Sequence, residues 1–276
     1  MPNIELVRQT KVSSFRKIAF GTWQDAYDPS IYGSMRIRMD NAMKYLQKFR
    51  EQTGQKLTVT HMTTKALALS MAQCPEANAI LRLNKLYLRK SIDISVLVLM
   101  EDNGQIDLSA TKIVNADKKS LLDIITEINT KAEKIRKRQD ETLEQTRQMM
   151  QLIPAILMNW ILKLIGFFNY TLNLDLRWAG LPKDAFGSAV VTSIGSLGLD
   201  MGYVPLVPYS RVPIFIAPGE IMDEPIVEDG QIIPAKMLTM SATLDHRIID
   251  GKHASIMSKT LRTVLENPED YFDPLD

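Results

Sequence analysis

Between Lys236 and Leu244 the chain alternates in hydropathy: Leu238, Met240, Ala242 and Leu244 share one side, Thr239, Ser241 and Thr243 the other. A period of two requires a strand with one face against a core. The strand leads straight into Asp245-His246-Arg247-Ile248-Ile249-Asp250-Gly251, and a helical pattern starting at Asp250 or Gly251 runs on to Leu265. Fold and chemistry are therefore constrained together, because a sheet delivers an imidazole to a strand-to-helix junction. A histidine there suits proton transfer near neutral pH, its reference pKa being about 6.5. With three histidines in 276 residues, few other positions offer a base.

The remaining pattern predicts a mixture of strands and helices. Residues 1–36 read as an extended opening segment with a turn at Asp28-Pro29-Ser30. Asp40 is expected to cap a helix carrying Met43, Leu46 and Phe49 and ending at Gly54. A second helix, Thr60–Gln73, must stop before Pro75, since the residue preceding a proline is pushed out of helical conformation. Strand-like runs follow at Ile80–Leu83, Leu86–Lys90, Ile92–Leu99 and Ile106–Val114, with a turn at Asp102-Asn103-Gly104. Lys118–Arg138 forms an amphipathic helix, with Leu121, Leu122, Ile125, Ile128, Ala132 and Ile135 on one face. Gly187–Ile194, Val212–Ala217 and Ile226–Ile233 complete the strands, the last turning at Asp229-Gly230. Long strands with flanking helices argue α+β or mixed α/β.

Composition narrows the function classes. Thirty-three basic and thirty-two acidic side chains nearly cancel, which leaves no electrostatic footprint for nucleic acid. A chain of this size buries roughly three quarters of its unfolded surface, so its core needs no staple. The single cysteine, Cys74, has no disulfide partner, and no Cys/His spacing suits zinc, so no metal is expected. The opening residues lack the apolar stretch of a signal peptide, which with the lone cysteine points to a cytoplasmic protein.

An insert at about 140–180 stands apart. From Leu152 to Phe168 it is dense in Leu, Ile, Met and Phe, interrupted by Pro154, Asn159, Lys163 and Gly166. A bilayer span needs about 20 largely uncharged residues. The expectation is a helical insert packed on protein, with peripheral membrane or lipid contact through 150–178 as the alternative.

Several pieces, in order from about residue 12 to 267, resemble the catalytic domain of the dihydrolipoyl acyltransferases of 2-oxoacid dehydrogenase complexes, which has the chloramphenicol acetyltransferase-like fold. Asp245-His246-Arg247-Ile248-Ile249-Asp250-Gly251 is similar to its Asp-His-Arg-x-x-Asp-Gly. Arg16-Lys17-Ile18-Ala19 looks like its opening, and Pro75-Glu76-Ala77-Asn78 like its Pro-x-x-Asn turn. Ile92-Asp93-Ile94-Ser95-Val96 resembles its central strand. Thr192-Ser193-Ile194-Gly195-Ser196-Leu197-Gly198 resembles its Ser-Asn-Leu-Gly-x-x-Gly loop. Met100-Glu101-Asp102-Asn103-Gly104-Gln105 departs from the family's Thr-Pro-x-Gly-Leu, a change in the dihydrolipoamide pocket.

The resemblance implies one catalytic domain over 1–276 and a homotrimer with sites at its interfaces. It implies acyl-CoA-dependent transfer, with coenzyme A as substrate, to a thiol, hydroxyl or amine. His246 is then the general base and Thr192 the oxyanion donor, with Ser193 and Ser196 as alternative hydroxyls. Asp250 either relays a proton or, paired with Arg16, fixes the geometry; Gly251 is expected to allow close packing behind His246. His61 is expected to be structural and His253 to lie at the surface or an interface. The length leaves no room for a lipoyl domain, so no covalent lipoyl group is expected on this chain, and a separate lipoyl protein would have to serve it. The carboxylate-rich end argues against assembly beyond a trimer. A non-catalytic trimeric scaffold that binds a partner or membrane through the insert is the competing reading.

Overall fold

A computed structural model describes residues 2–8, 28–102, 105–140, 144–146 and 154–275. Arg16, its Arg16–Ala19 segment, the Asn103-Gly104 turn and the first residues of the apolar insert lie outside them. In chain order the strands and helices are β1 (Leu6–Arg8), β2 (Ser30–Arg38), α1 (Asp40–Thr53), α2 (Val59–Gln73), β3 (Ala79–Arg82), β4 (Lys85–Arg89), β5 (Ile94–Asp102) and β6 (Gln105–Ile113). They continue with α3 (Leu121–Arg136), α4 (Ala155–Gly166), β7 (Ala189–Val191), β8 (Ile214–Glu228), β9 (Gln231–Asp245), α5 (Gly251–Glu266) and α6 (Pro268–Tyr271).

Six strands form a mixed sheet in the order β2-β9-β8-β7-β5-β6, with β7 parallel to both neighbours and the other pairs antiparallel. A small antiparallel sheet, β1-β4-β3, stands beside it. The architecture is α+β. Ile94, Val96, Ala189, Val191, Ile214, Ile216 and Leu238 point from the large sheet into a core shared with α1, α2, α3 and α5. α2 lies against α5 and is buried nearly all round, so it carries no polar face. The opposite face buries Val190, Val212 and Phe215 beneath Leu97, Phe186, Val204, Leu206 and Val207.

β8 and β9 are single strands of fifteen residues joined at Asp229-Gly230, both with positive φ (50° and 78°), the two-residue turn that suits right-handed strand twist. The separate strands read at 226–233 and 236–244 are thus one hairpin. Its Pro225 and Pro234 sit opposite each other and conceal the continuity from a propensity reading. β2, read as extended, is a full edge strand paired along its length with β9. Asp40 does not cap α1: Met39 holds the cap position, and the Asp40 carboxylate takes the Arg38 Nε at 2.6 Å and the Lys236 amide at 3.2 Å.

The described part of the insert contains α4 followed by a π-helical turn, Phe167–Thr171, with one side packed on protein and Trp160, Leu164 and Phe167 exposed. The turn buries Tyr170 against Ile4 and Ile80. Asn173 grips Ile4 twice, through Oδ1 from the amide (2.7 Å) and Nδ2 to the carbonyl (2.8 Å). Among the described residues no helix is long and apolar enough to cross a membrane. The acidic chain end folds back. Phe272 packs on Tyr45, and the Asp273 carboxylate accepts from the Leu121 and Leu122 amides at 3.2 Å each, where α3 starts and its dipole favours negative charge.

Candidate active site

β9 carries His246 to its place. The His246 amide donates to the Pro29 carbonyl (3.0 Å), which extends the β2 pairing by one residue beyond Asp245. The Ile248 and Ile249 amides then turn back onto the Asp245 carbonyl (3.0 and 2.9 Å), so the loop is a tight one. His246 Nδ1 lies 2.9 Å from the Ile249 carbonyl oxygen. A carbonyl can only accept, so Nδ1 carries the hydrogen, and in the neutral ring Nε2 is then the nitrogen with the lone pair. The loop itself thus selects the tautomer that a base needs.

The flanking charges are structural. Arg247 donates to Asp245 through Nε (2.9 Å) and Nη2 (2.6 Å), the local pair expected from their spacing. Arg211, half-buried on the neighbouring segment, has its basicity lowered by desolvation and then by Arg247, with Asp245 opposing. The Asp250 carboxylate accepts from the Lys252 and His253 amides (3.0 and 3.2 Å), lies 2.8 Å from His253 Nδ1 and caps α5. It orders the helix behind His246, and nothing in the described geometry makes it a relay to that ring. Its expected partner, Arg16, is outside the described residues.

Two expectations are corrected. Gly251 is not packed tightly, since a Cβ built there meets nothing within 4 Å in this chain. Of the surface or interface expected for His253, the surface is ruled out: the residue is buried within this chain as the third residue of the capping box. Its Nε2 lies 3.7 Å from Glu76, and Cys74, Glu76 and His253 each offer a ligand-type atom within 4.8 Å of the others. That proximity is tertiary and had no spacing signal. His61 is structural: it closes the cap of α2, with the Thr58 amide donating to Nδ1 at 3.2 Å.

Thr192 follows β7, its amide donating to the Ile216 carbonyl at 3.0 Å. After it the chain enters a 3-10 turn, Gly195–Leu197, ended by Gly198 at φ 75°. Ser196 Oγ donates to the Ser193 carbonyl (2.8 Å) and so holds the turn. The glycine that matters is Gly195. A Cβ there would stand 2.2 Å from the Gly219 carbonyl oxygen, and one on Gly219 would stand 1.9 Å from the Asp200 oxygen. The loop therefore seats on the β8 bulge between Pro218 and Ile221 backbone to backbone. Gly219 carried no legible signal in the sequence, because its partner is distant along the chain.

One chain does not bring His246 and Thr192 together. The strand registers put Thr192 level with Ala217 of β8 and His246 level with Val212. Five residues along β8 and two strands across correspond to about 17 Å and about 10 Å, a separation on the order of 20 Å that neither side chain spans.

The family model of the 2-oxoacid dehydrogenases acyltransferase catalytic domain matches residues 5–150 and 182–272. The chain belongs to this family. The stretch the model leaves unmatched contains α4 and the π turn. Among curated relatives, the dihydrolipoyllysine-residue succinyltransferase component of the 2-oxoglutarate dehydrogenase complex of Staphylococcus saprophyticus is 28% identical over 85% of this chain and 46% of its own length. The acetyltransferase component of the acetoin cleaving system of Bacillus subtilis is 22% identical over 95% of this chain and 56% of its own. The chain thus spans about half the length of these acyltransferase relatives. Among solved structures, a probable dihydrolipoamide acetyltransferase from Listeria monocytogenes superposes with a TM-score of 0.66 at 18% identity, covering 98% of this chain and 99% of that one. Chloramphenicol acetyltransferase superposes at 0.51 with 13% identity, over 94% and 100% of the two chains. Both likenesses concern the fold.

Proposed function

We propose that this acyltransferase-family domain moves an acyl group between coenzyme A and a thiol, a dihydrolipoyllysine residue being the acceptor its relatives' names suggest. The observation that carries the reading is the 2.9 Å contact of His246 Nδ1 with the Ile249 carbonyl, which leaves Nε2 as the basic nitrogen. A thiol with a reference pKa of about 8.5 is well matched to such a base.

In the forward direction Nε2 accepts the thiol proton and the thiolate attacks the thioester carbonyl. The new C–S bond forms as the C=O electron pair moves onto oxygen. The Thr192 hydroxyl donates to that oxyanion, a service whose loss typically costs about 2.7–4 kcal/mol. When the carbonyl re-forms, the C–S bond to coenzyme A breaks, and the departing thiolate takes the proton back from Nε2. The Ile249 carbonyl holds the ring throughout.

The separation of His246 and Thr192 supports a site built between copies, His246 of one chain facing Thr192 of the next. A head-to-tail contact whose rotation closes gives a ring, and a homotrimer is the assembly we propose. Replacement of His246 by Ala in the purified domain, assayed with acetyl-CoA and dihydrolipoamide, is expected to lower kcat by about 10²–10⁴-fold with the oligomer unchanged. Undiminished turnover would remove the assignment.

A further inference from the structure

The insert creates a second feature, a cavity of about 690 Å³ between α4, the end of α3 and the edge strand β6. We propose that this cavity holds the aliphatic chain of an acyl thioester, so that the groups transferred are long-chain acyl groups. The inference rests on the acyltransferase reading above.

Shape argues first. Met158, Leu162 and Ile165 form a stripe on α4 at spacings of four and three residues, about 10 Å long. Leu97 and Ala110 of the sheet, Ile135 of α3, and Leu181 and Phe186 also line the cavity. A slot walled by aliphatic side chains along a helix and a strand fits an extended hydrocarbon. Its volume lies within the roughly 300–1,000 Å³ of small-molecule sites, which combine apolar walls with a few polar groups.

Polar groups supply the second argument. Asn169 in the wall has a buried side-chain oxygen with no partner among the described residues. A buried acceptor left unpaired costs roughly 1–3 kcal/mol, so water or a polar ligand group belongs there. Lys112, Lys131 and Lys183 against Asp140 in the same wall disfavour a cationic amphiphile.

Position is the third. β5 and β7 are parallel with Ser95 beside Val190 and Val96 beside Val191, so the next step sets Leu97 beside Thr192. Leu97 packs with Val190 on the sheet face away from the main core, and Thr192 shares the parity of Val190. The wall of the cavity thus lies about 5 Å, one strand spacing, from the proposed oxyanion donor. A thioester carbonyl at Thr192 has a place for its chain directly alongside.

The test uses the full chain in its native oligomer. Binding of cis-parinaric acid is followed by fluorescence, and transfer to dihydrolipoamide is measured with acetyl-, octanoyl- and palmitoyl-CoA. Leu162→Trp fills the slot and Met158→Ala lengthens it. If the tryptophan excludes three methylenes, each contributing about fourfold, the palmitoyl-to-acetyl ratio of kcat/KM falls about sixtyfold. Met158→Ala moves the same ratio upward, which guards against a general defect in the Leu162 variant. Transfer with a ratio that neither variant moves overturns the cavity assignment and leaves the acyltransferase standing. Saturable parinarate binding that Leu162→Trp abolishes, with no transfer from any thioester, supports the chain pocket and overturns the catalytic reading instead.

Discussion

Removing the charge of Asp184 should be among the most damaging single changes to this domain outside the proposed catalytic machinery. Asp184 accepts from Arg89 Nη1 at 2.7 Å, with side-chain exposures of 8% and 2%, and ties the segment after the insert to the small sheet. Asp184→Asn keeps the shape and suits the positive φ of 43° at that position. It strands a guanidinium away from water, and breaking a buried pair by removing one partner costs about 3–5 kcal/mol. At roughly 2–4 °C per kcal/mol for a chain somewhat smaller than this one, the melting temperature should fall by about 6–20 °C. The pair itself is worth much less. Arg89 Nε and Nη2 and Asp184 Oδ1 are buried with no partner among the described residues, so the desolvation cost is only partly offset. Arg89→Met combined with Asp184→Asn should therefore recover most of the loss. Urea denaturation of the two single variants and the double supplies the cycle. A loss below about 1 kcal/mol for Asp184→Asn, or a double variant as unstable as the sum of the singles, would refute the reasoning.

Other outcomes follow from the same geometry. Gly195→Ala puts a Cβ 2.2 Å from the Gly219 oxygen and must push the Thr192 loop off the β8 bulge. A displacement near 1 Å costs about 10²-fold in rate, so kcat should fall by that order while circular dichroism stays native; an unchanged kcat would show that the loop does not position the donor. Burial holds the His61 imidazole down at about 4, against its ordinary 6.5. Between those values the unfolded chain binds the proton and the folded one does not. Stability present above pH 6.5 is thus lost as the pH falls toward 4, by about 3 kcal/mol in all. His61→Gln keeps an acceptor for the Thr58 amide and should flatten that slope in denaturation series at pH 4.5 to 7; a slope left intact would place the titration elsewhere.

Local rules were legible wherever neighbours in sequence decide the outcome. The alternation ending at Leu244, the stop of α2 before Pro75 and the Asp245–Arg247 pair are all local, and each stands in the structure. So does the start of α5, where Asp250 caps through amides two and three residues on. What escaped depends on distant partners. Gly219 matters because Gly195 and Asp200 meet it across the sheet, and His253 is buried because the cap folds it under Glu76. β8 and β9 looked broken because Pro225 and Pro234 are poor strand formers, tolerable only because they face each other in one hairpin. Nothing in this chain approaches Gly251, and a glycine beside a motif does not by itself reveal whether anything does. The cavity could not be anticipated either: the insert's composition announced apolar surface but not which part of it would face the β6 edge.

In the proposed site the proton acceptor and the oxyanion donor come from two different chains. Co-assembling His246→Ala chains with Thr192→Ala chains tests it directly, after each variant alone has been shown inactive. In a ring mixed at random from equal amounts, a half of the positions offer an intact histidine and a half of their neighbours an intact threonine, so activity should return to about one quarter of the wild-type level. Mixed oligomers as inactive as their parents would contradict it.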